Sequence, residues 1–381
     1  MHITVVGGGV IGLLTAVESV LAGHRVTVVE QAALPNAAAA SADRHRIIRA
    51  LHLGDGGATT AAARAHRRWI ELEKTLYTRF YDRVGALSVL PEDQIVPAVS
   101  LLGYAGVWSR VLRGADLAER YPMLSFAPDA TAVLEREAGV LLADRVLRGC
   151  LGWLRWQPTV GFVTHQPVRA IDPAAKAVNL ADGTVLTGDA VLVAAGAWSR
   201  DLLPPSVANR LTLYRQSMLY CDVDDERAWS TLAAMPSLGG PQRRWLVPPV
   251  AGTPLKLSAH SACRPVSAID DHDTDAAWRE HLLDAFAPLI PALRGDWVTA
   301  ARDCYYLADD VSGGALAARL GDQVVAYAAC GGTSFKFAPL IAEALVRCAD
   351  GSLAEMPAVP TVTVVDADRP IDVVPPEGDR Q

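Results

Sequence analysis

The N-terminal segment contains the pattern that most restricts how this chain folds. Residues 2–6 are rich in β-branched side chains and predict a short strand, residues 10–23 have the apolar spacing of a helix, and residues 25–30 predict a second strand. Gly7, Gly9 and Gly12 form a GxGxxG turn between the first strand and the helix. Two parallel strands joined by a helix, with glycines at this turn, are the unit that binds a dinucleotide.

Each part of this unit has a physical role in nucleotide binding. Glycines at the turn let a pyrophosphate approach the backbone, and the N-terminus of the helix favours an anion. Glu30 closes the second strand, where its carboxylate can accept hydrogen bonds from ribose hydroxyls. The alternative is a tight turn without a ligand, and the motif alone does not choose between FAD and NAD.

The composition indicates a globular protein that binds small molecules. The 381 residues are 51% hydrophobic, which is enough for a large core and two domains. The formal charge of −7 and the lack of a Lys/Arg run argue against nucleic acid or a membrane surface as partner. We expect a cytoplasmic protein, since we find neither a long apolar run nor a signal peptide. The six cysteines lack a CxxC pair, and no metal site is expected.

Later segments predict that the chain leaves the first domain and returns to it. Residues 86–139 look irregular, residues 168–199 predict strands that end before Gly196, and residues 211–303 mix strands with a helix. The predicted class is α/β (mixed α+β). A discontinuous Rossmann-like domain is expected at residues 1–85, 140–210 and 304–370. A mostly antiparallel substrate domain is expected at residues 86–139 and 211–303, followed by a polar tail at residues 371–381.

Five segments along the chain carry a resemblance to a known family. They are RIIR (46–49), VLVAAGAWS (191–199), KLSAH (256–260), CYY (304–306) and CGGTSFKF (330–337). In this order they resemble the FAD-dependent D-amino-acid-oxidase-like (DAO) superfamily, in particular its monomeric sarcosine oxidase branch. The resemblance implies FAD as the cofactor, with Gly196, Gly331, Gly332 and Thr333 among the residues that contact it.

The resemblance also implies roles for charged residues. Lys336 and Arg49 would hold a substrate carboxylate, because an Arg fork and a Lys point charge suit its two oxygens. Lys256 would help the reduced flavin react with O2, since a cation offsets the charge of superoxide. Arg46 would lie over the flavin face, Lys336 would lean toward the flavin, and Cys304 would link FAD covalently, with Arg302 available to lower the thiol pKa.

Two more residues complete the predicted site, and several alternatives stay open. His260 would lie near the active site and Trp245 would contact the substrate, where the family commonly has Tyr. Alternatively, Lys336 reaches solvent from a helix start, Lys256 points outward from an ordinary strand, and His260 and Cys304 are structural.

The expected function is an FAD-dependent amine oxidase that converts a secondary or cyclic amino acid to an imine and O2 to hydrogen peroxide. Ser41, Ala42 and Asp43 replace a histidine pair of the family, and Thr333 and Ser334 alter its Gly-His-Gly segment, which argues against sarcosine itself as substrate. A tailoring step in secondary metabolism is one hypothesis, and the protein would be a monomer or homodimer. The alternatives are a flavin dehydrogenase with another acceptor, a nicotinamide-dependent dehydrogenase, and a flavin-binding protein without turnover.

Overall fold

The computed structural model describes residues 1–353 and 362–367, so the predicted tail at 371–381 lies outside the described residues. The strands are β1 His2–Val6, β2 Arg25–Val29, β3 Arg46–Ile48, β4 Tyr81–Asp82, β5 Ala86–Leu90, β6 Ser109–Arg113, β7 Thr131–Glu135, β8 Gly139–Leu141, β9 Val160–Val163, β10 Val168–Asp172, β11 Ala177–Leu180, β12 Val185–Thr187, β13 Ala190–Val193, β14 Leu211–Cys221, β15 Ala234–Leu238, β16 Arg244–Val247, β17 Leu255–Ala259, β18 Cys263–Val266, β19 Val298–Asp309, β20 Ala315–Gly321, β21 Val324–Cys330 and β22 Val362–Asp366. The helices are α1 Val10–Leu21, α2 Gly56–Thr75, α3 Glu92–Tyr104, α4 Gly114–Arg120, α5 Ala143–Arg155, α6 Pro205–Ala208, α7 Glu226–Trp229, α8 Ala276–Phe286 and α9 Ala338–Ala349.

A seven-stranded sheet forms the first layer, in the order β22-β20-β21-β13-β1-β2-β9. The strands from β21 to β9 run parallel, and β20 pairs antiparallel with β21. Both faces are covered: Ile3 and Val5 pack in one core with α1 and α9, whereas Val191 and Val193 pack in another. Burial on both faces explains why these strands read as continuous apolar runs.

The predicted strand-helix-strand unit is confirmed as β1, α1 and β2. Gly7 has a φ of +103°, and a Cβ added there would lie 2.3 Å from the carbonyl oxygen of Ala194. A Cβ on Gly12 would lie 1.9 Å from the carbonyl oxygen of Gly7, so Gly12 allows α1 to pack directly on the turn. Backbone packing therefore requires glycine at these two positions, whether or not a ligand is bound.

A second sheet of nine strands covers one end of the first. Its order is β18-β14-β17-β16-β15-β5-β7-β6, with β19 pairing with β14 along most of its length. All pairs are antiparallel except β15 with β5, so the predicted α/β fold with a mostly antiparallel second sheet is confirmed. β19 crosses the predicted boundary between residues 303 and 304, and the domain ranges stay a prediction.

The sequence pattern of residues 86–139 looks irregular, but the segment forms regular strands and helices. This segment contributes β5, β6 and β7 to the second sheet and contains α3 and α4. Each strand has only five residues, and β7 is buried along its whole length, so the alternating pattern of a half-exposed strand is missing. The sequence signal for a strand was therefore weak here.

Two further sheets complete the fold, ordered β10-β11-β12 and β3-β8-β4. β3, which carries the RIIR segment, pairs with β8 and also contacts β15 of the second sheet and the turn at Ser334–Phe337 that follows β21. Across residues 1–353 and 362–367, none of the helices has the length and apolar character needed to span a membrane.

Candidate active site

A cavity of about 490 Å³ lies between the carboxyl ends of the parallel strands and the second sheet. The first sheet contributes Val6 at the end of β1, Glu30 directly after β2, and residues 194–198 directly after β13. The second sheet contributes residues of β14, β15, β16, β17 and β19. The carboxyl edge of a parallel sheet is where α/β folds bind ligands.

The end of the cavity at the glycine turn suits an anionic dinucleotide. Gly7, Gly9 and Val10 line it, and α1 begins with neither a side-chain cap nor an acidic residue in its first turn. The carboxylate of Glu30 accepts hydrogen bonds from the backbone N–H of Gly8 at 2.7 Å and from Nδ2 of Asn36 at 2.9 Å. These contacts fix Glu30 at the cavity wall, where it can bind hydroxyl groups. The glycine cradle, helix N-terminus and carboxylate therefore fit the FAD that the sequence predicts.

Two buried cations line another part of the cavity. Lys336 lies in a 3-10 turn at Ser334–Phe337, is 7% exposed, and donates from Nζ to the carbonyl oxygen of Thr333 at 3.2 Å. Nε1 of Trp69 donates to the carbonyl oxygen of Lys336 at 2.9 Å and holds the turn. Arg49 also lines the cavity. Burial, with the nearby charge of Arg49, holds the pKa of Lys336 well below its ordinary value.

No carboxylate of the described chain forms an ion pair with Arg49 or Lys336. The acid that interacts electrostatically with both cations is the buried Glu135, whose carboxylate accepts from the backbone N–H groups of Ala50 at 2.7 Å and Leu51 at 3.3 Å. Burial raises the pKa of Glu135, although both cations oppose this effect. The two cations therefore meet at a cavity wall without a direct counter-ion, which leaves room for an anionic ligand.

A second group of charges surrounds Lys256 on β17. Its ammonium group forms an ion pair with Asp43, and the same carboxylate binds Nη1 of Arg46 at 2.5 Å and the hydroxyl of Tyr220 at 2.8 Å. Nζ of Lys256 lies 5.4 Å from the ring centroid of Trp245. Burial lowers the pKa of Lys256 to about 8, although Asp43 opposes this effect. Lys256 therefore points inward, and the outward alternative is excluded by its 1% exposure.

Cys304 lies on β19 with its side chain at the cavity wall. Its thiol is 3.7 Å from the carbonyl oxygen of Ala40, and Arg46 is the cation beside it. Arg302, which the sequence suggested for that position, instead donates to the carbonyl oxygen of Ala37. Any electrostatic activation of the thiol would therefore come from Arg46 and Lys256, which both interact with Cys304.

The structure brings most of the predicted site residues to one cavity. Those that line it are Gly7, Gly9, Glu30, Arg46, Arg49, Gly196, Trp245, Lys256, Cys304, Gly332, Thr333 and Lys336. Gly12 and Gly331 are not among the lining residues. Both lie where the backbone leaves no space for a side chain, since a Cβ on Gly331 would lie 2.5 Å from the backbone of Gly314. His260 is exposed in a 3-10 turn and is not part of the lining, so its position does not support a role near the active site.

Sequence reasoning missed three residues of this region. Asp43 drew attention only as a departure from the family, and Tyr220 and Glu135 carried no signal. Asp43 and Lys256 are 213 residues apart in sequence, so a local pattern could not pair them. Three further lining residues, Gln216, Met218 and Tyr327, were also missed, and Tyr306 drew attention only as part of the CYY segment.

Comparison with known proteins agrees with the geometry. A family model described as DAO, FAD dependent oxidoreductase, matches residues 2–348. The monomeric sarcosine oxidase of Bacillus sp. (strain B-0618) is 25% identical over 232 residues, which are 59% of this chain and 59% of that protein. The chain thus matches well under two thirds of the length of this curated relative.

Solved structures confirm the fold over nearly the whole chain. NikD, described as an unusual amino acid oxidase essential for nikkomycin biosynthesis, has a TM-score of 0.78 at 19% identity, covering 93% of this chain and 95% of that chain. L-proline dehydrogenase from P. horikoshii has a TM-score of 0.79 at 16% identity, covering 93% and 95%. At these identities the likeness concerns the fold alone.

Proposed function

Since the chain belongs to the DAO family of FAD-dependent oxidoreductases, we propose that it oxidises the C–N bond of a secondary or cyclic amino acid to an imine, with O2 reduced to hydrogen peroxide. The observation that carries this proposal is that Arg49 and Lys336 line the same cavity, interact electrostatically with each other, and form no ion pair with a carboxylate among the described residues. A substrate carboxylate would supply the missing anion. Its two oxygens suit the guanidinium fork and the ammonium group.

The second sheet supports a substrate with an apolar body. It contributes apolar lining residues, namely Met218, Pro236, Trp245 and Val247. The acids that line the cavity within the described chain, Glu30 and Asp201, follow strands of the first sheet. A substrate amine beside several cations and no carboxylate would have a lowered pKa, so it would bind as the neutral amine. A neutral amine is the form whose C–H bond next to nitrogen can give up a hydride.

The residues of the cavity fit FAD along its length. Gly7, Gly9 and Glu30 would hold the nucleotide end, and Gly332 and Thr333 would approach the remainder of the molecule. When bound, FAD supplies the two-electron acceptor for the substrate C–H bond and passes the electrons to O2. Lys256 and Arg46 would present positive charge at the cavity wall, and Arg49 and Lys336 would orient the substrate.

Replacing Lys256 by methionine should lower the rate of reoxidation by O2 about 100-fold, because removing one preorganised charge from a dry site costs roughly this much. The rate of anaerobic reduction by substrate should stay nearly unchanged. Stopped-flow absorbance measures both half-reactions separately. If instead the wild-type protein is reduced by substrate but reacts with O2 no faster than free reduced flavin, the protein is a dehydrogenase with another acceptor.

Replacing Cys304 by alanine should make the yellow colour extractable with acid, whereas acid precipitation of the wild-type protein should leave it in the pellet. We infer covalent attachment because the thiol lies at the cavity wall beside Arg46. Peptide mapping of the wild-type pellet gives the attachment residue directly. Cys330→Ala is the matched control, since Cys330 also lines the cavity. Release of the colour from the wild-type protein would contradict the covalent bond.

The first test of the whole proposal is an absorbance spectrum of the purified protein, followed by a peroxide assay. Cyclic and N-methyl amino acids should produce peroxide, and matched amines without the carboxylate should be far poorer substrates. A colourless protein would overturn FAD binding, and equal rates with and without the carboxylate would overturn the role of Arg49 and Lys336. A tailoring step in secondary metabolism stays a hypothesis that the gene neighbourhood would test.

A further inference from the structure

Asp43 is a buried acid placed directly behind two cavity cations. Lys256 and Arg46 line the main cavity, but Asp43 does not and instead borders a small adjoining void. Its side chain is 2% exposed. It belongs to the connection between β2 and β3, while Lys256 belongs to the second sheet, so the ion pair joins two separate parts of the fold.

Every acceptor position of this carboxylate is used. Oδ2 receives the ammonium group of Lys256 and Nη1 of Arg46, and Oδ1 receives the hydroxyl of Tyr220 at 2.8 Å and the backbone N–H of Arg44 at 2.7 Å. Although burial alone would raise it, the pKa of Asp43 is held well below its ordinary value by Arg46 and Lys256. Asp43 is therefore a charged and saturated acceptor.

The remaining neighbours of Lys256 come from several elements. They are Arg46 and His45 from the segment around β3, Tyr220 on β14, Trp245 on β16 and Cys304 on β19. Burial and the charge of Lys256 lower the pKa of His45 to about 3, so its ring is neutral. Burial raises the pKa of Tyr220 well above its ordinary value, so its hydroxyl stays protonated. Asp43 is thus the anion that Lys256 contacts within the described chain.

We propose that Asp43 is a positioning residue that keeps Lys256 protonated and aimed at the cavity. A buried ammonium beside the permanent charge of Arg46 would otherwise release its proton, because desolvation and like charge both favour the neutral amine. The ion pair therefore keeps a positive charge on Lys256 at the cavity wall. The inference rests on the proposed function only in assigning that charge to the reaction with O2.

The chain offers a direct test because it contains only four lysines, at positions 74, 176, 256 and 336. Protein made with lysine labelled at Cε with ¹³C, and carrying its cofactor, should show four resonances whose shifts follow protonation. The Lys256→Met variant assigns the resonance. In the wild-type protein Lys256 should titrate with a pKa of about 8. In Asp43→Asn its pKa should fall below the wild-type value, the direction expected when a buried lysine loses the anion that it contacts.

The matched control is Asp309→Asn, which removes an equally buried aspartate that pairs with Arg210 away from the cavity lining. This variant should leave the titration of Lys256 unchanged even if it lowers the melting temperature. An unchanged pKa in Asp43→Asn, or an equal fall in Asp309→Asn, would overturn the proposal. Should Asp43→Asn not fold, Asp43→Ser removes the same charge with a smaller side chain, and Asp43→Glu should restore the wild-type titration.

Reoxidation kinetics separate this inference from the proposed function. The rate with O2 should fall as the pH rises through the pKa of Lys256, and this transition should move to lower pH in Asp43→Asn. Once the pKa of Lys256 lies below the pH, each further unit by which it falls lowers the protonated fraction about tenfold, and the rate at pH 7 should fall in proportion. If the resonance moves but the rate does not follow it, the role of Lys256 toward O2 fails while the positioning by Asp43 stands.

Discussion

Replacing Lys336 by methionine should lower kcat/KM for an amino acid substrate by about 10²–10³-fold, the loss expected when one partner of a desolvated charge pair is truncated. The expected cause is the loss of the cation that, with Arg49, binds the substrate carboxylate at the cavity wall. Steady-state peroxide assays over a range of substrate concentrations measure the effect. The loss should appear mainly for substrates that carry the carboxylate.

The same substitution should not destabilise the protein. Lys336 is 7% exposed and has no carboxylate partner in the described chain, and its Nζ donates only one hydrogen bond, to Thr333. Burying an amine under these conditions costs stability, and methionine fills a similar volume without that cost. We therefore expect a melting temperature equal to or above that of the wild type, measured by thermal unfolding.

The control for both measurements is Lys74→Met, because Lys74 is exposed near the end of α2 and is not part of the cavity lining. This variant should change neither kcat/KM nor the melting temperature beyond error. An equal loss of activity with an amine that lacks the carboxylate would show that Lys336 acts on something other than that group. A strong fall in melting temperature for Lys336→Met would show that the side chain is structural.

Replacing Gly12 by alanine should abolish FAD binding and destabilise the fold by about 3 kcal/mol or more, the upper range for overpacking of a tight core. The added Cβ would lie 1.9 Å from the backbone carbonyl oxygen of Gly7, and a backbone atom cannot rotate away as a side chain can. Relief requires that α1 move off the turn, which also displaces the helix N-terminus from the cavity. Denaturant unfolding and FAD titration of the apoprotein measure the two effects.

Gly152→Ala provides the matched glycine control. Gly152 lies within α5, and no atom lies within 4 Å of the position that its Cβ would take. Because alanine favours a helix over glycine, this variant should be stabilised by up to about 1 kcal/mol and should bind FAD normally. Normal FAD affinity in Gly12→Ala would show that the turn tolerates a displaced helix, and the packing argument would be wrong.

Much of the first domain could be predicted because its signals are local. Strand, glycine turn and helix follow one another within β1, α1 and β2, so neighbouring residues determine the structure. The site residues were found differently: Lys336, Arg49 and Cys304 were assigned through resemblance of short segments, and the structure places all three at one cavity. His260 shares a segment with Lys256 but is exposed, because the chain leaves β17 for a 3-10 turn at that residue.

The dinucleotide-binding unit, the two-sheet α/β class and the family could be predicted, since these depend on short patterns and on the order of segments. The pairing of the charges could not be predicted, because it depends on the folded chain. Asp43 pairs with Lys256 across 213 residues, and Glu135 comes from β7 to a position near Arg49. The physical reason is that burial and charge act through space, so the protonation of a side chain depends on partners that no local pattern reveals.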